Sequence, residues 1–566
     1  MSEHVQPPPR AAEGTTMLDL EEVPAATAPP PTAALDPVAA HYCATLDQVK
    51  EKTYDVVVVG GGAVGAAIAR ALLRKDGTRR ALRVLVLEKG PFLLPEHVQN
   101  LAPQYQRLIA KAVAKPWRLD PGTTFDLAPQ VPYIGGRALF WSTWIPRPAR
   151  EQMPGWPERV LKELDEKKYW ERAERLMGAV RPGRMGPEFT AFQPRLLQRL
   201  LDRLGEIDHF LAYDDPDALE VPLAAKATTS TLGYRKFSPV PLLLEAAEAF
   251  PDRIDLVTGC EVEEIGHEQN GKHRTATTLK TSQGALGLKG ARLVLANGVV
   301  EPTGLLLTSF PKELPDFAGT NLGGHVASWF SARVPRHAWK GLGSTLQIGC
   351  AYLKGRVEEY SRDFHVHLMG ASNPEPDTAT ADLYRLIPDS FDQEFLAQLS
   401  SADHIGFLVH CLGEWRGGRK AADGSRVRVD KGRTVLTIKP TSEDVKLRSE
   451  MDGAAQRLVT EVLAANVPGG EIEYWHPGTG TAPGSWRKSL PPGRLKDALV
   501  HESGTLWMGE DPKESVTTLD CRLHGVDNLY VGGAATFPTS GSWNPTLTAV
   551  ALGRRLADHL LEGARR

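Results

Sequence analysis

Hydrophobic positions along the chain fall into short blocks whose period changes from one block to the next. Residues 54–59 (Tyr-Asp-Val-Val-Val-Val) end in a β-branched run short enough for one parallel strand buried on both faces. After a glycine-rich turn, Ala66, Ala67, Ile68, Ala69, Ala71, Leu72 and Leu73 give the Ala/Leu content of a buried helix, and residues 82–87 (Leu-Arg-Val-Leu-Val-Leu) form the next strand. Together these predict a βαβ unit. From 156 to 177, Val160, Leu161, Leu164, Ala173 and Leu176 keep helical spacing with charges between them, predicting one exposed helix. Between about 320 and 490 the strand-like pieces 364–368, 405–410 and 435–439 alternate with turns rich in Gly, Asp and Pro. Helix-and-strand patterning returns near the C-terminus, and no internal repeat stands out. The predicted class is therefore α/β, with a Rossmann-like domain assembled from 46–150, 225–320 and 491–566. An α+β domain on a mostly antiparallel sheet is inserted as 151–224 and 321–490.

Composition narrows the function classes. Of the 566 residues 66 are Lys or Arg and 69 are Asp or Glu, and a formal charge of −3 speaks against a nucleic-acid binder. No apolar run approaches the roughly 18 residues of a membrane span. Five cysteines, odd in number and without a C-x-x-C pair, suit neither a disulfide framework nor structural zinc. The first residues carry no cationic, apolar leader, which makes the expected location cytoplasmic. Residues 1–45 hold eight prolines from Pro7 to Pro37 and few large apolar side chains, so they are expected to form a disordered arm.

Gly60-Gly61-Gly62-Ala63-Val64-Gly65 fits G-x-G-x-x-G between the first strand and its helix. Gly60 permits the tight turn, Gly62 lets the backbone approach a pyrophosphate, and Gly65 lets helix and strand pack closely, while the helix N-terminus offers free N–H groups. Glu88 ends the second strand 23 residues after Gly65, where an acid binds ribose hydroxyls and disfavours a 2′-phosphate. These residues indicate a dinucleotide and do not separate FAD from NAD.

The C-terminal end carries His501-Glu502-Ser503-Gly504-Thr505-Leu506-Trp507-Met508-Gly509, then His524-Gly525-Val526-Asp527-Asn528-Leu529-Tyr530-Val531-Gly532-Gly533, then Asn544-Pro545-Thr546-Leu547-Thr548. This order of motifs resembles the glucose–methanol–choline (GMC) family of FAD-dependent oxidoreductases. More thinly, Gly135-Gly136, the segment around Val262 and the segment around Ala296 resemble the family's further FAD contacts. The resemblance implies a GMC-type FAD-binding domain, with Gly60, Gly62, Ala63, Val64, Gly65, Glu88, Gly135, Gly136, Val262, Ala296, Gly532, Gly533, Asn544, Pro545 and Thr546 at the cofactor. It further implies His501 as the base that takes an alcohol proton, with Asn544 bonding the same oxygen. An Asn at this second position is similar to the pyranose-oxidase and cholesterol-oxidase type of site, and a sugar, glycoside or polyol substrate is the expectation. Oxygen, a quinone or another carrier would reoxidise the flavin. Independently of the resemblance, Asn544-Pro545 reads as a helix start, with Asn as N-cap and Pro pre-set at the first helical position. The residues alone leave open that His501 is a buried structural histidine and Asn544 only a cap.

Phe140 stands where some sugar oxidases of the family carry a histidine bonded to the flavin, so non-covalent FAD is expected. His365-Val366-His367 puts two imidazoles on one face of a strand, with His325 and His410 in the same region. No third ligand has a recognisable spacing, and these residues are expected to line a substrate pocket or a solvated sheet face rather than hold a metal. Two other readings stay open on the sequence: a lyase of the hydroxynitrile type with structural FAD, and a non-catalytic flavin-binding protein. Oligomeric state has no signature.

Overall fold

A computed structural model describes residues 37–73, 81–227, 234–389, 393–420, 424–465, 467–468, 471–479 and 482–563. The valine run forms the strand Val56–Val59, at the centre of a five-stranded parallel sheet ordered Leu529–Val531, Arg292–Leu295, Val56–Val59, Val84–Leu87, Ile254–Val257. All four valines are buried because both faces of this sheet are covered. Val56 and Val58 meet the helix Ala63–Leu72 and the C-terminal helix Thr546–Gly563. Val57, Val59, Leu85 and Leu87 meet the helix Val300–Ser309 and a small antiparallel sheet that includes Val262–Asn270 and His273–Thr281.

A second, larger sheet has the antiparallel order Gln347–Val357, Arg362–Ser372, His404–Trp415, Gly323–Pro335, Glu473–His476, Ser485–Arg487. Side chains alternate across it with period two. Val366, Leu368, Val409, Cys411, Val326 and Phe330 point to one face, where Leu447, Met451 and Ala455 of the helix Ser442–Arg457 cover them. The other face carries a row of aligned positions across four strands: Tyr352, His367, His410 and Trp329.

The packing divides the chain differently from the sequence expectation in three places. The strand Leu495–Ser503, expected within the nucleotide-binding part, pairs with Gly323–Pro335 in the large sheet, and Asp126–Leu127 pairs with it in turn. The single exposed helix expected over 156–177 is two half-buried helices, Glu158–Glu166 and Tyr169–Met177, separated where Lys168 adopts a left-handed backbone with φ 55°. Both pack on the nucleotide-binding layer rather than on the inserted domain, through Arg172–Asp558 and Arg555–Glu163 ion pairs of 2.6 Å to the C-terminal helix. Of the expected N-terminal arm, residues 1–36 lie outside the described residues, but Pro37–Tyr42 and Leu46–Val49 are helical. Thr45 and Gln48 close the second of these with a reciprocal capping box. Among the described residues no helix is long and apolar enough to cross a membrane.

Candidate active site

A cavity of about 550 Å³ opens at the C-terminal end of Val56–Val59. Of the residues expected at the cofactor, Gly60, Gly62, Ala63, Val64, Glu88, Gly135, Gly136, Val262, Ala296 and Thr546 line it. Gly65, Gly532, Gly533, Asn544 and Pro545 are not in its wall. Gly65 acts in packing, since a Cβ there would sit 1.9 Å from the Gly60 carbonyl oxygen. Gly532 likewise backs onto Ile68 and Val64, where a Cβ would approach to 3.3 Å. Thr546 begins the C-terminal helix, so the positive end of an 18-residue helix faces the cavity, an arrangement worth about 1 kcal/mol toward an anionic group.

Two glycines test whether the cavity suits a dinucleotide. Gly60 has φ +105°, and a side chain there would lie 2.8 Å from the Ala296 carbonyl, so the turn itself demands it. Gly62 has an ordinary φ of −77°, and a Cβ there would meet no protein atom closer than 4.0 Å. Protein packing therefore does not require Gly62 to be bare, whereas a pyrophosphate drawn against the helix N-terminus does. Glu88 closes the end of the second strand, accepting hydrogen bonds from the Gly61 and Gly90 N–H groups at 2.8 and 3.1 Å. Burial nevertheless pushes its carboxyl up to about 7. A pair invisible in the sequence, Arg137 and Glu502, lines the same cavity with Nη–Oε distances of 2.8 Å.

His501 lies in the strand Leu495–Ser503 at an irregularity. Gly323 pairs with Ser503 and His325 with Val500, so three steps on one strand oppose two on the other, and His501 itself has φ +57°. Such a bulge re-aims a side chain and stores local strain. The His501 Nδ1 lies 2.9 Å from the Nδ1 of His325, whose Nε2 is 3.1 Å from the Gly541 carbonyl oxygen. A carbonyl only accepts, so His325 Nε2 carries the proton. Burial, reinforced by the nearby His501 and His367, holds the His325 imidazole far below its ordinary pKa, and its Nδ1 is therefore a lone pair. His501 must donate from Nδ1, which leaves its Nε2 as the free, basic nitrogen. Burial, and after it the charge on His367, pulls the His501 pKa down to about 4, so the ring is neutral at neutral pH.

The remaining histidines continue this chain on the inner face of the large sheet. His325 meets His365 edge-on at 5.7 Å, and His365 Nε2 is 3.1 Å from His367 Nε2. His367 Nε2 is also 3.1 Å from Asn544 Oδ1, and its Nδ1 is 2.6 Å from Asp389. The structure thus links the two expected catalytic residues, His501 and Asn544, through three histidines of the inserted domain. Asn544 is not the N-cap: the Pro545 carbonyl accepts from the Ala549 N–H in the first turn, and the Asn544 side chain turns to His367 instead. His365 and His367, for which a solvated face was one expectation, are 1% and 2% exposed and belong to the site. Among the described residues no group of three or more His, Cys, Asp or Glu could hold a metal ion. Sequence reasoning missed Asp389, which follows a helix without any motif, and the pairing of His325 with a residue 176 positions away.

Residues 428–553 match the family model described as GMC oxidoreductase. The chain is 25% identical over 556 residues to 6'''-hydroxyparomomycin C oxidase of Streptomyces lividus, across 90% of this chain and 92% of that protein. It is 32% identical over 113 residues to pyranose 2-oxidase of Tricholoma matsutake, 20% of this chain and 18% of the relative. Among solved structures, pyridoxine 4-oxidase from Mesorbium loti aligns with a TM-score of 0.53 over 90% of this chain and 99% of its own, at 16% identity, a likeness of fold. With the sheet order, the glycine-lined cavity and the two C-terminal motifs meeting at one site, the chain is similar to the glucose–methanol–choline oxidoreductases, a family of generally FAD-dependent enzymes, most strongly over residues 428–553, and these likenesses support an oxidoreductase.

Proposed function

We propose that this enzyme oxidises a CH–OH group of a sugar, glycoside or polyol to a carbonyl, with His501 as the base and Asn544 as the residue that holds the reacting oxygen. The observation that carries the reading is the tautomer chain from the Gly541 carbonyl through His325, which leaves His501 Nε2 free and neutral. A neutral imidazole with a free lone pair can take the hydroxyl proton as the carbonyl forms. Asn544 would donate an N–H to the same oxygen, where negative charge builds as the proton leaves. FAD, held by Gly60, Gly62, Glu88, Gly135, Gly136 and Thr546, would supply the acceptor for the hydride. Around Asn544 the histidines pack against the faces of Trp144 and Tyr352, and such a mixture of polar groups and aromatic faces suits a polyhydroxylated molecule. The activities for which the two relatives above are named point the same way.

Non-covalent FAD fits the cavity, because no histidine stands among its lining residues. The nearby His97 has both ring nitrogens engaged, at 2.8 Å from the Trp141 carbonyl and 3.2 Å from the Gln99 N–H. Acid precipitation should therefore release all the yellow colour into the supernatant; a yellow pellet would contradict this. An intracellular location is in keeping with five cysteines that form no disulfide.

The reading is tested by recording the visible spectrum of the FAD-loaded protein without oxygen while adding D-glucose, methyl β-D-glucoside, sorbitol, benzyl alcohol and mandelonitrile. Bleaching by a sugar, glycoside or polyol is expected, and admission of air then distinguishes oxygen from a carrier as acceptor. Cleavage of mandelonitrile with no bleaching by any alcohol would overturn the reading in favour of a lyase.

A further inference from the structure

Asn544 can stabilise a developing alkoxide only if its carboxamide presents the NH₂ group to the substrate and its oxygen to the protein. An exposed Asn would reverse freely. Here Asn544 is 3% exposed, and its Oδ1 faces His367 Nε2 at 3.1 Å. The other nitrogen of that ring faces the Asp389 carboxylate at 2.6 Å. His367 Nε2 also lies 3.1 Å from the Nε2 of His365, a ring that burial keeps neutral and that can present its lone pair; with the carboxylate, the amide oxygen and this nitrogen all accepting, both ring nitrogens of His367 carry a proton. We infer that His367, charged and paired with Asp389, is a positioning residue that fixes the Asn544 carboxamide with its N–H groups directed at the reacting oxygen. This inference rests on the reading of Asn544 given above.

Four further observations converge on it. Asp389 has φ +56°, a left-handed backbone that costs energy for a non-glycine residue and persists only where the surroundings impose it. The segment bringing Asp389 inward is anchored by two buried side chains: Gln99 donates to the Tyr384 and Ile387 carbonyls at 2.6 and 2.8 Å, and Lys236 donates to Ile387 at 2.7 Å. Trp144 stacks on the His367 ring at 5.1 Å with an interplanar angle of 24°, a placement that favours a cationic ring. Asp389 is ionised, since burial alone would raise its carboxyl but the charges and hydrogen bonds of His367 and His410 hold it well below the usual carboxylate range. A polarised Asn544 is a better N–H donor, so the effect should fall on the chemical step rather than on binding.

The test uses the FAD-loaded protein and four chains: wild type, His367→Leu, His367→Gln and Asp389→Asn. In wild type labelled with ¹⁵N-histidine, at slightly alkaline pH where free imidazoles are neutral, one ring should keep both nitrogens protonated, and that signature should vanish in Asp389→Asn and His367→Gln. Anaerobic flavin reduction by methyl β-D-glucoside, D-glucose and sorbitol is then followed. His367→Leu and Asp389→Asn should slow the limiting rate about 100-fold with half-saturation little changed. His367→Gln, which retains an N–H donor toward Asn544 Oδ1, should recover to within about tenfold of wild type. FAD content and melting temperature serve as fold controls. A neutral His367 ring in wild type, or equal rates in His367→Leu and His367→Gln, would overturn the inference while leaving the alcohol-oxidation reading intact. Failure of wild type to bleach with any of the three substrates would instead remove the reading, and the inference with it.

Discussion

Among single residues, His501 stands out as a histidine that tolerates a left-handed backbone. His501 at φ +57° would be relieved by glycine, but only an imidazole can donate to His325 and offer a second nitrogen to a substrate. Burial pulls its pKa to about 4, so the base form persists well below neutrality. The kcat/KM profile should accordingly stay level from neutral pH downward and fall only on approach to about pH 4, rather than at the ordinary histidine value near 6.5. An acid limb at the ordinary value would show that the ring is not desolvated in the working enzyme. His501 and Asn544 were legible because each sits inside a local motif. Their partners were not, since His325 and Asp389 reach the site only through strand pairing and a turn remote in sequence.

At the scale of elements, the glycine turn separates folding from binding. Gly65→Ala would place a Cβ 1.9 Å from the Gly60 carbonyl, which forces the strand and helix apart and should lower the melting temperature markedly. Gly62→Ala meets nothing in the protein and should melt within a degree or so of wild type when stripped of cofactor, yet bind FAD at least about tenfold more weakly. Equal loss of stability in both variants, by calorimetry of the cofactor-free proteins, would contradict this division of roles. The βαβ unit was readable because strand, turn and helix are contiguous and each local preference agrees with the others. The bulge at His501 was not, because it exists only in the register between two strands that are far apart in the chain.

Over the whole molecule, the site lies where the two sheets meet, and the division of the chain follows that meeting rather than the order of motifs. The motif around His501 continues into the nucleotide-binding part, but its strand is hydrogen-bonded to the inserted sheet, so one strand serves both. Their many charged residues give the helices over 158–177 the pattern of an exposed insertion, but Glu163 and Arg172 are paired across to the C-terminal helix. Gathering neutral histidines at this junction has a consequence for stability. Burial lowers the pKa of His97 to about 3 and holds His325 and His365 far below the ordinary value. The unfolded chain takes up protons at these positions from about pH 6.5 downward while the native protein does not, so stability falls as the pH is lowered through that window. Melting temperature should decline steadily from neutrality toward about pH 5, before carboxylates titrate. His97→Gln should shallow the slope, and a flat profile over that range would contradict the neutral assignment.

Proton transfer from the alcohol to His501 is probed by single-turnover flavin reduction without oxygen in wild type and His501→Gln, both fully loaded with FAD, using the sugar or glycoside that bleaches wild type. Reduction at least about 100-fold slower is expected in the variant, partly restored as rising pH ionises the alcohol without the base. Reduction at the wild-type rate, with FAD content unchanged, would contradict it.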